Sequence, residues 1–254
     1  MRLIMFTVAF LVVVIPATYS VPPDHVVLYF DFNEEAKDMV TDLSKYGNDG
    51  EITGSAIWED GQFGKALKLD GSVVTVNITP PSDEMKALKP PMSVGAWFKV
   101  VSFPAQWQLI IEMPPLLGER PDGWQYALAN QNPNFCTLGH RDHIADKITL
   151  EIGKWVYLVA VVDESNVNYY VDGKLEQQIA YKGPINVTNS PAVHIGAEEG
   201  TLGKYDCNIV LDELWVSNKA LTQEAIEIYM EPENILSVDP QGSLTTTWGG
   251  IKRR

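Results

Sequence analysis

Cysteine is scarce in this sequence, with only Cys136 and Cys207 among 254 residues. A chain of this length buries a substantial core without disulfide or metal support, so its folding does not depend on more of them. The sequence leaves two alternatives open for this pair. Either the two thiols form one disulfide in an oxidising compartment, or they stay free and pack as small apolar side chains.

Basic residues are also scarce. The chain has 19 Lys and Arg against 33 Asp and Glu, which gives a formal net charge of −14. A surface this acidic repels a phosphate backbone, so we expect no nucleic-acid partner. The charge is compatible with bound cations and with neutral ligands such as glycans. A high net charge also keeps a protein soluble, and solubility alone is a sufficient reason for the acidity without any ligand.

Long apolar runs are missing except at the N-terminus, where residues 3–17 are apolar apart from Thr7 and Pro16. This run is short for a bilayer span, which needs about 20 residues. Thr18 and Ser20 place small residues three and one positions before a cut after residue 20. We therefore predict a signal peptide over residues 1–20. The exported protein would begin near Val21, have no membrane span, and be extracellular or periplasmic.

Helical periodicity is nearly absent after the signal, and short β-rich runs alternate with Gly, Pro, Asn and Asp. Residues 26–32 are apolar on both faces, which indicates a strand covered on two sides. Residues 93–101 alternate between two faces. Further strands are predicted over 108–112, 123–129, 155–163, 166–171, 193–196 and 208–216. Asp172 and Gly173 indicate a tight hairpin turn, and we expect Trp155 and Trp215 to fill the space between two sheets.

One helix is predicted near the C-terminus. Thr222 caps it, Ile226 and Tyr229 lie on its buried face, and Pro232 ends it. The polar residues 237–254 are predicted to be a loosely held tail. No solenoid or propeller repeat is present, so residues 21–236 are predicted to form one domain.

Four segments in chain order carry a family pattern. The first is LYFDFNE at 28–34, followed by DLSKYGNDG at 42–50. The second is GQFGKALKLDG at 61–71, and the third is GKWVYLVA at 153–160, running into YYVDGK at 169–174. The fourth is LDELWVSNKAL at 211–221. Together they resemble the laminin-G-like jelly-roll branch of the concanavalin A-like lectin and glucanase superfamily. The resemblance implies an all-β, two-sheet antiparallel jelly-roll sandwich but leaves function open, because this fold hosts lectins, adhesion modules and hydrolases.

Calcium is the cofactor that the resemblance implies. Members of the superfamily often carry one structural Ca²⁺, and the matching positions here are Asp31 or Asn33, the carbonyl of Gly50, and Asp212. Calcium takes six to eight oxygen ligands and accepts backbone carbonyls. A carboxylate within the apolar run of the last strand needs a partner, because burying an unpaired charge is costly. Backbone amides around Asp212, or exposure of its side chain, would serve as well.

Carbohydrate is the leading partner. A sugar site combines an aromatic platform with polar hydrogen-bonding groups, and one cluster of this kind lies in the middle of the chain: Trp107, Trp124, Tyr126, Asn130 and Asn132. Trp124 and Tyr126 share one strand face. The alternative is that these aromatic residues pack in the core. The sequons at Asn77 and Asn186 are acceptors only in a host that glycosylates exported proteins.

Catalysis is not predicted. The Glu-x-Asp-x-Glu run of the superfamily's glucanases is missing, and Asp212 and Glu213 are adjacent, so they should point to opposite faces of a strand. His140 and His143 are predicted to lie in a solvated polar loop rather than at a zinc site. A surface or matrix protein is the alternative partner, with the apolar residues 113–118 as an exposed contact loop.

Overall fold

The computed structural model describes residues 22–70, 74–114, 123–197 and 205–237. Within them, the chain forms two antiparallel eight-stranded sheets whose facing sides share one core. This confirms the predicted all-β, two-sheet jelly-roll sandwich. The predicted signal peptide and the predicted tail beyond Ser237 lie outside the described residues.

Sheet I has the strand order β14-β13-β12-β7-β16-β5-β4, and β1 also pairs with β16. Its strands are β1 (Val26–Phe30), β4 (Ile57–Asp60), β5 (Lys65–Leu69), β7 (Met92–Ser102), β12 (Trp155–Val162), β13 (Asn166–Val171), β14 (Lys174–Ala180) and β16 (Asn208–Ser217).

Sheet II has the order β11-β10-β9-β8-β15-β6-β3-β2. Its strands are β2 (Met39–Val40), β3 (Gly50–Thr53), β6 (Thr75–Ile78), β8 (Trp107–Met113), β9 (Trp124–Ala129), β10 (Asn132–Thr137), β11 (Arg141–Ile144) and β15 (Val193–Ile195). Each of the eight strands predicted from sequence is present, with ends within two residues of the prediction.

The main core lies between the two sheets. Along β7, Ala96, Phe98 and Val100 point into it, whereas Trp97 points to the other face of sheet I. Both faces of this strand are buried, and eight of its eleven residues are fully buried. Double-sided burial explains why the central strands of sheet I read as almost continuous apolar runs.

A second core covers the outer face of sheet I. Trp215 and Tyr157 pack there against Tyr229 and Ile226 of the C-terminal helical segment, and Trp155 lies at its margin. The prediction that Trp155 and Trp215 fill the space between the sheets is therefore wrong. Helices cover this face and give large aromatic side chains a second place to be buried.

Three short helices are present in the described residues, where one was predicted: α1 (Asp83–Lys86), α2 (Gln223–Tyr229) and α3 (Pro232–Ser237). Thr222 caps α2 as predicted, and its side chain accepts a hydrogen bond from Ala225 N–H. Pro232 does more than follow the end of α2. It is the first residue of α3, where its fixed φ and missing N–H are tolerated.

Asp42 organises the turn that carries the first family segment. Its Oδ1 accepts hydrogen bonds from the backbone N–H groups of Tyr29 and Ser44, both at 2.9 Å. Its Oδ2 accepts from the Ser44 hydroxyl at 2.7 Å and from Asn48 N–H at 2.8 Å. Asn48 in turn donates to the carbonyl of Val27. The turn is thus attached to β1 by side chains, which gives this motif a structural role.

The Asp172–Gly173 turn connects β13 and β14 as predicted. Its two residues have φ values of +47° and +79°, which is the left-handed pair that a primed hairpin turn requires. The Asp172 carboxylate also accepts a hydrogen bond from Tyr157 N–H, so the turn is linked to β12.

Candidate functional site

A row of polar side chains crosses the outer face of sheet II, which is the face turned away from sheet I. Residues directly opposite each other on paired strands point to the same face. Following these pairs across the sheet gives seven members, which we call the polar row: Glu51, Asn77, His194, Glu112, Gln125, Cys136 and Asp142. They come from seven different strands and are far apart along the chain, so the sequence alone does not show that they are neighbours.

Hydrogen bonds connect neighbours along the polar row. Gln125 Nε2 donates to Glu112 Oε2 at 2.6 Å. His194 Nδ1 lies 2.7 Å from Asn77 Oδ1 and must be the donor, because an amide oxygen only accepts. Asn77 Nδ2 donates to Thr53 Oγ1 at 3.2 Å. These bonds hold the side chains in fixed positions. Glu112 at the centre of the polar row and His194 beside it are buried, whereas Glu51 and Asp142 at its two ends are exposed.

The charge of this face is negative. Glu51, Glu112 and Asp142 contribute three carboxyl groups. The only Lys or Arg in the described strands of sheet II is Arg141, which precedes Asp142 and therefore points to the opposite side. A ligand on the polar row meets the exposed carboxyl groups of Glu51 and Asp142 and the half-buried amides of Asn77 and Gln125, but no fixed positive charge from these strands.

A second row on the same face contains Trp107, Ala129 and Asn132, which are opposite one another on β8, β9 and β10. The Trp107 ring is half-buried, and its cross-strand neighbour is a small alanine. Asn132 donates to the carbonyl of Ile148 at 2.7 Å, and Asn130 is exposed in the turn between β9 and β10. Three of the five predicted ligand-binding residues therefore lie at one end of this face.

Trp124 and Tyr126 are not part of the surface. They do share one strand face as predicted, but it is the core face, and both side chains are fully buried. Trp124 stacks on Phe135 with ring centroids 6.1 Å apart. On β9 it is Gln125 and Ala129 that point outward. The prediction of these two aromatic residues as a sugar platform is wrong, and the alternative that they pack in the core holds.

The two cysteines are free thiols. Cys136 lies in the polar row, on the outer face of sheet II, whereas Cys207 is buried in the core between the sheets. Sheet II separates the two side chains, so the disulfide alternative is wrong. Burial raises the pKa of both thiols well above the usual range, which makes them poor nucleophiles.

A pair of buried carboxyl groups lies on the outer face of sheet I. A bulge interrupts β16 between Asp212 and Trp215, and Glu213 has a φ of +52°. Asp212 Oδ2 accepts from Phe63 N–H at 2.9 Å, and Glu213 accepts from the Tyr29 hydroxyl. Tyr29 belongs to the second core and Phe63 packs against it, so the prediction that the two acids point to opposite faces is wrong. An added residue in a strand shifts the alternation.

Burial raises the pKa of both acids. The pKa of Asp212 rises to about 7, although the backbone N–H groups around Phe63 lower it in part. The pKa of Glu213 rises to about 9 through burial and the neighbouring charge of Asp212. One oxygen of each carboxyl, Oδ1 and Oε1 respectively, has no hydrogen-bond partner among the described residues.

The predicted calcium ligands are brought together only in part. Asp31 lies close enough to Asp212 for its charge to raise the pKa of that residue. Asn33 is on the neighbouring turn, where its Oδ1 accepts from Lys65 N–H. The orphaned oxygen of Asp212 and the carboxylate of Asp31 fit a hard cation that prefers oxygen ligands. In the described part of the chain, however, no group of three or more His, Cys, Asp or Glu side chains is arranged to hold a metal ion.

Gly50 does not belong to this set. It is the first residue of β3 in sheet II, and a Cβ on it would lie 2.4 Å from Val76 Cγ1 and 3.2 Å from the Phe30 ring. This position is inside the sandwich, whereas Asp212 is on the outer face of sheet I. Glycine is required here by close packing. That its carbonyl binds calcium stays a prediction.

His143 serves the fold and not a metal. Residues 141–144 form β11, where a polar loop was predicted, and the imidazole is fully buried. Its Nδ1 lies 2.8 Å from the carbonyl of Phe135, to which it donates, and its Nε2 accepts from Lys182 N–H at 3.0 Å. Both ring nitrogens are occupied, and burial lowers the pKa of the imidazole.

The predicted apolar contact loop begins inside the core. Met113 ends β8 and is fully buried, and Pro114 is half-buried. Residues 115–118 lie outside the described part of the chain. No helix in that part is long and apolar enough to cross a bilayer.

The fold and these faces define a laminin-G-like jelly-roll module. The chain belongs to the Laminin_G_3 family, described as the concanavalin A-like lectin/glucanases superfamily, whose model matches residues 71–227. Comparison with curated proteins gives no match.

Several solved structures share the fold. One is the receptor binding domain of botulinum neurotoxin C/D mosaic serotype, with a TM-score of 0.64 and 16% identity over 82% of this chain and 51% of that one. Another is the botulinum neurotoxin serotype G binding domain, with a TM-score of 0.63 and 14% identity over 81% of this chain and 50% of that one. A third is the binding domain of botulinum neurotoxin DC in complex with rat synaptotagmin II, with a TM-score of 0.61 and 16% identity over 81% of this chain and 51% of that one. The chain spans about half the length of these structures, and at such identities the likeness shows the fold alone.

Proposed function

We propose that this protein is an exported, non-catalytic module that binds neutral glycans on the outer face of sheet II. The observation that carries the proposal is the polar row. Its half-buried amides and the exposed carboxyl groups at its two ends lie on the same face of sheet II as the partly exposed ring of Trp107. Sugars are bound by this combination, in which polar groups fix the hydroxyls and an apolar ring face covers the sugar ring.

The spacing of the carboxyl groups supports a binding role over hydrolysis. Glu112 is three strands away from Glu51 and three strands away from Asp142. With strands about 4.8 Å apart, these backbones are separated by about 14 Å. Retaining hydrolysis needs two carboxyl groups about 5.5 Å apart and inversion needs up to about 9.5 Å. Asp212 and Glu213 are close together but are buried on the other sheet.

The charge of the face supports neutral glycans as the ligand class. Sulfated and carboxylated glycans are bound through Arg and Lys, and the described strands of sheet II direct neither residue to this face. The exposed carboxyl groups of Glu51 and Asp142 would repel an anionic chain. Neutral hydroxyls can instead donate to the carboxylates and accept from the second N–H of the Gln125 amide.

A glycan array tests this proposal with the full chain, using neutral, sialylated and sulfated members. We expect binding to neutral members only. Trp107→Ala and Gln125→Ala should each remove retention on the best polysaccharide, because they take away the ring and the central amide. Trp155→Ala, on the far face of sheet I, is the matched control and should keep it, with circular dichroism confirming that all variants are folded.

Two outcomes would overturn the assignment. Binding confined to sulfated or sialylated glycans would reject the charge argument. Retention of a surface or matrix protein with no glycan bound would move the function to adhesion, which is the alternative partner class.

We also propose a structural calcium ion at Asp31 and Asp212. The orphaned carboxylate oxygen of Asp212 and the nearby charge of Asp31 support it. A bound cation would remove the cost of burying these charges and so would stabilise the fold without touching a glycan on sheet II. The melting temperature should rise in calcium and fall in EGTA, and Asp31→Asn should abolish the difference. Identical melting curves for the unaltered protein would exclude the ion.

A further inference from the structure

The two Asn-x-Thr sequons of the chain lie in very different surroundings. One begins at Asn186, in the connection between β14 and β15, and the other at Asn77, within β6. A sequon accepts an N-linked glycan where its asparagine can project a bulky polar group into solvent. The structure therefore allows the two sites to be distinguished.

Asn186 is held outward by its neighbours. Ile185 and Val187 on either side are 7% and 1% exposed and are part of the main core. Asn186 lies between these two anchors and is exposed, as is Thr188. The two buried residues attach this loop to the core. Because Asn186 alternates with them, its side chain points outward.

The local geometry at Asn186 is an Asx turn. Asn186 Oδ1 accepts from Thr188 N–H at 3.3 Å and from the Thr188 hydroxyl at 2.9 Å. Turns of this kind form from local sequence and do not need tertiary contacts. Both bonds use the oxygen of the amide and neither uses the nitrogen Nδ2. The threonine of the sequon thus contacts its asparagine directly.

Asn77 has the opposite surroundings. It is half-buried in β6 and is a member of the polar row, with Glu51 and His194 opposite it on the adjacent strands. Its Nδ2 donates to Thr53 Oγ1, and its Oδ1 accepts from His194. A glycan on Nδ2 would have to fit between cross-strand neighbours, and extended backbone prevents the Asx turn.

We propose that Asn186 carries an N-linked glycan in the exported protein and that Asn77 does not. In the transfer step, Asn186 Nδ2 attacks C1 of an oligosaccharide carried on a lipid pyrophosphate. The N–C1 bond forms, the C1–O bond breaks, and the lipid pyrophosphate leaves with the electron pair. The amide loses one proton to a base of the transferring enzyme. The proposal rests on export, which residues 1–20 predict, and it is independent of the ligand of sheet II.

The test is expression of the full chain, with its own residues 1–20, in a eukaryotic cell that glycosylates exported proteins. Electrophoretic mobility before and after peptide N-glycosidase, together with mass spectrometry of the two tryptic peptides, reports each site separately. We expect one glycan, on the peptide that contains Asn186. Asn186→Gln and Thr188→Ala should both remove the mobility shift, Thr188→Ser should keep it, and Asn77→Gln should leave it unchanged.

An Asn186 peptide without a glycan overturns the proposal, whether the chain stays in the cell or is exported in unglycosylated form. A glycan on Asn77 overturns its second half. It would also show that the Glu51 end of the polar row is covered, because Asn77 lies between Glu51 and His194.

Discussion

The Asp42 carboxylate offers a sharp test of how the first family segment holds the fold. It is 6% exposed and accepts four hydrogen bonds, three of them from the backbone N–H groups of Tyr29, Ser44 and Asn48. Asp42→Ala leaves these donors without a partner. Each buried unsatisfied donor costs about 1–3 kcal/mol, and water entering the vacated space recovers a part of this. We expect a loss of about 3–5 kcal/mol in the free energy of unfolding.

Asp42→Asn separates the hydrogen bonds from one another. Its Oδ1 can still accept from Tyr29 and Ser44, but its amide nitrogen faces Asn48 N–H, where a second acceptor is needed. We expect an intermediate loss of about 1–3 kcal/mol. Glu164→Ala removes one exposed acid in the loop between β12 and β13 and should change stability by less than about 0.5 kcal/mol.

Urea denaturation followed by tryptophan fluorescence measures these differences, and thermal melts give a second readout. For a domain of this size, the loss expected for Asp42→Ala lowers the melting temperature by about 6–20 °C. An alanine variant within about 1 kcal/mol of the unaltered protein would refute the idea that this carboxylate attaches the turn to β1. Equal losses for the alanine and asparagine variants would show that charge, rather than hydrogen-bond number, is what matters.

Three further predictions concern buried polar groups. The Tyr169 hydroxyl accepts a hydrogen bond from Phe135 N–H and donates one to the carbonyl of His143, which links the two sheets. Tyr169→Phe should lower the free energy of unfolding by about 2–4 kcal/mol in urea denaturation. An unchanged denaturation midpoint would contradict this. Burial lowers the pKa of His143, so its contribution to stability is present above its unfolded pKa near 6.5 and is lost as pH falls through the folded value. His143→Gln should flatten the stability profile between pH 7 and 5, and equal slopes would show that another group titrates. Burial raises the pKa of Glu213 to about 9, so its contribution is present below its unfolded pKa near 4.5 and is lost as pH rises through 9. In calcium-free buffer, Glu213→Gln should remove most of the decline between pH 6 and 9, and a decline that persists in the variant would place its origin elsewhere.

The local elements of this protein can be predicted from sequence because they depend on neighbouring residues. β-Branched and aromatic runs identified eight strands, and the Asp172–Gly173 pair specified a hairpin turn whose left-handed φ values these residues tolerate. Thr222 marked the start of a helix through its own hydrogen bond. Two of the strands that were missed, β4 and β14, lie at the edges of sheet I and are largely exposed or half-buried, so an apolar pattern hardly marks them.

Tertiary structure alone decided which face of each strand meets solvent. Alternation shows that Trp124 and Tyr126 share a face, but it is the packing of sheet II on sheet I that turns this face inward. One added residue at the β16 bulge likewise brings Asp212 and Glu213 to the same side. The polar row joins seven strands, from Glu51 at one end to Asp142 at the other, and its members become neighbours only through strand order and register. Local sequence fixes the two-residue period of a strand, whereas the choice of partner strand and buried face is a non-local free-energy balance.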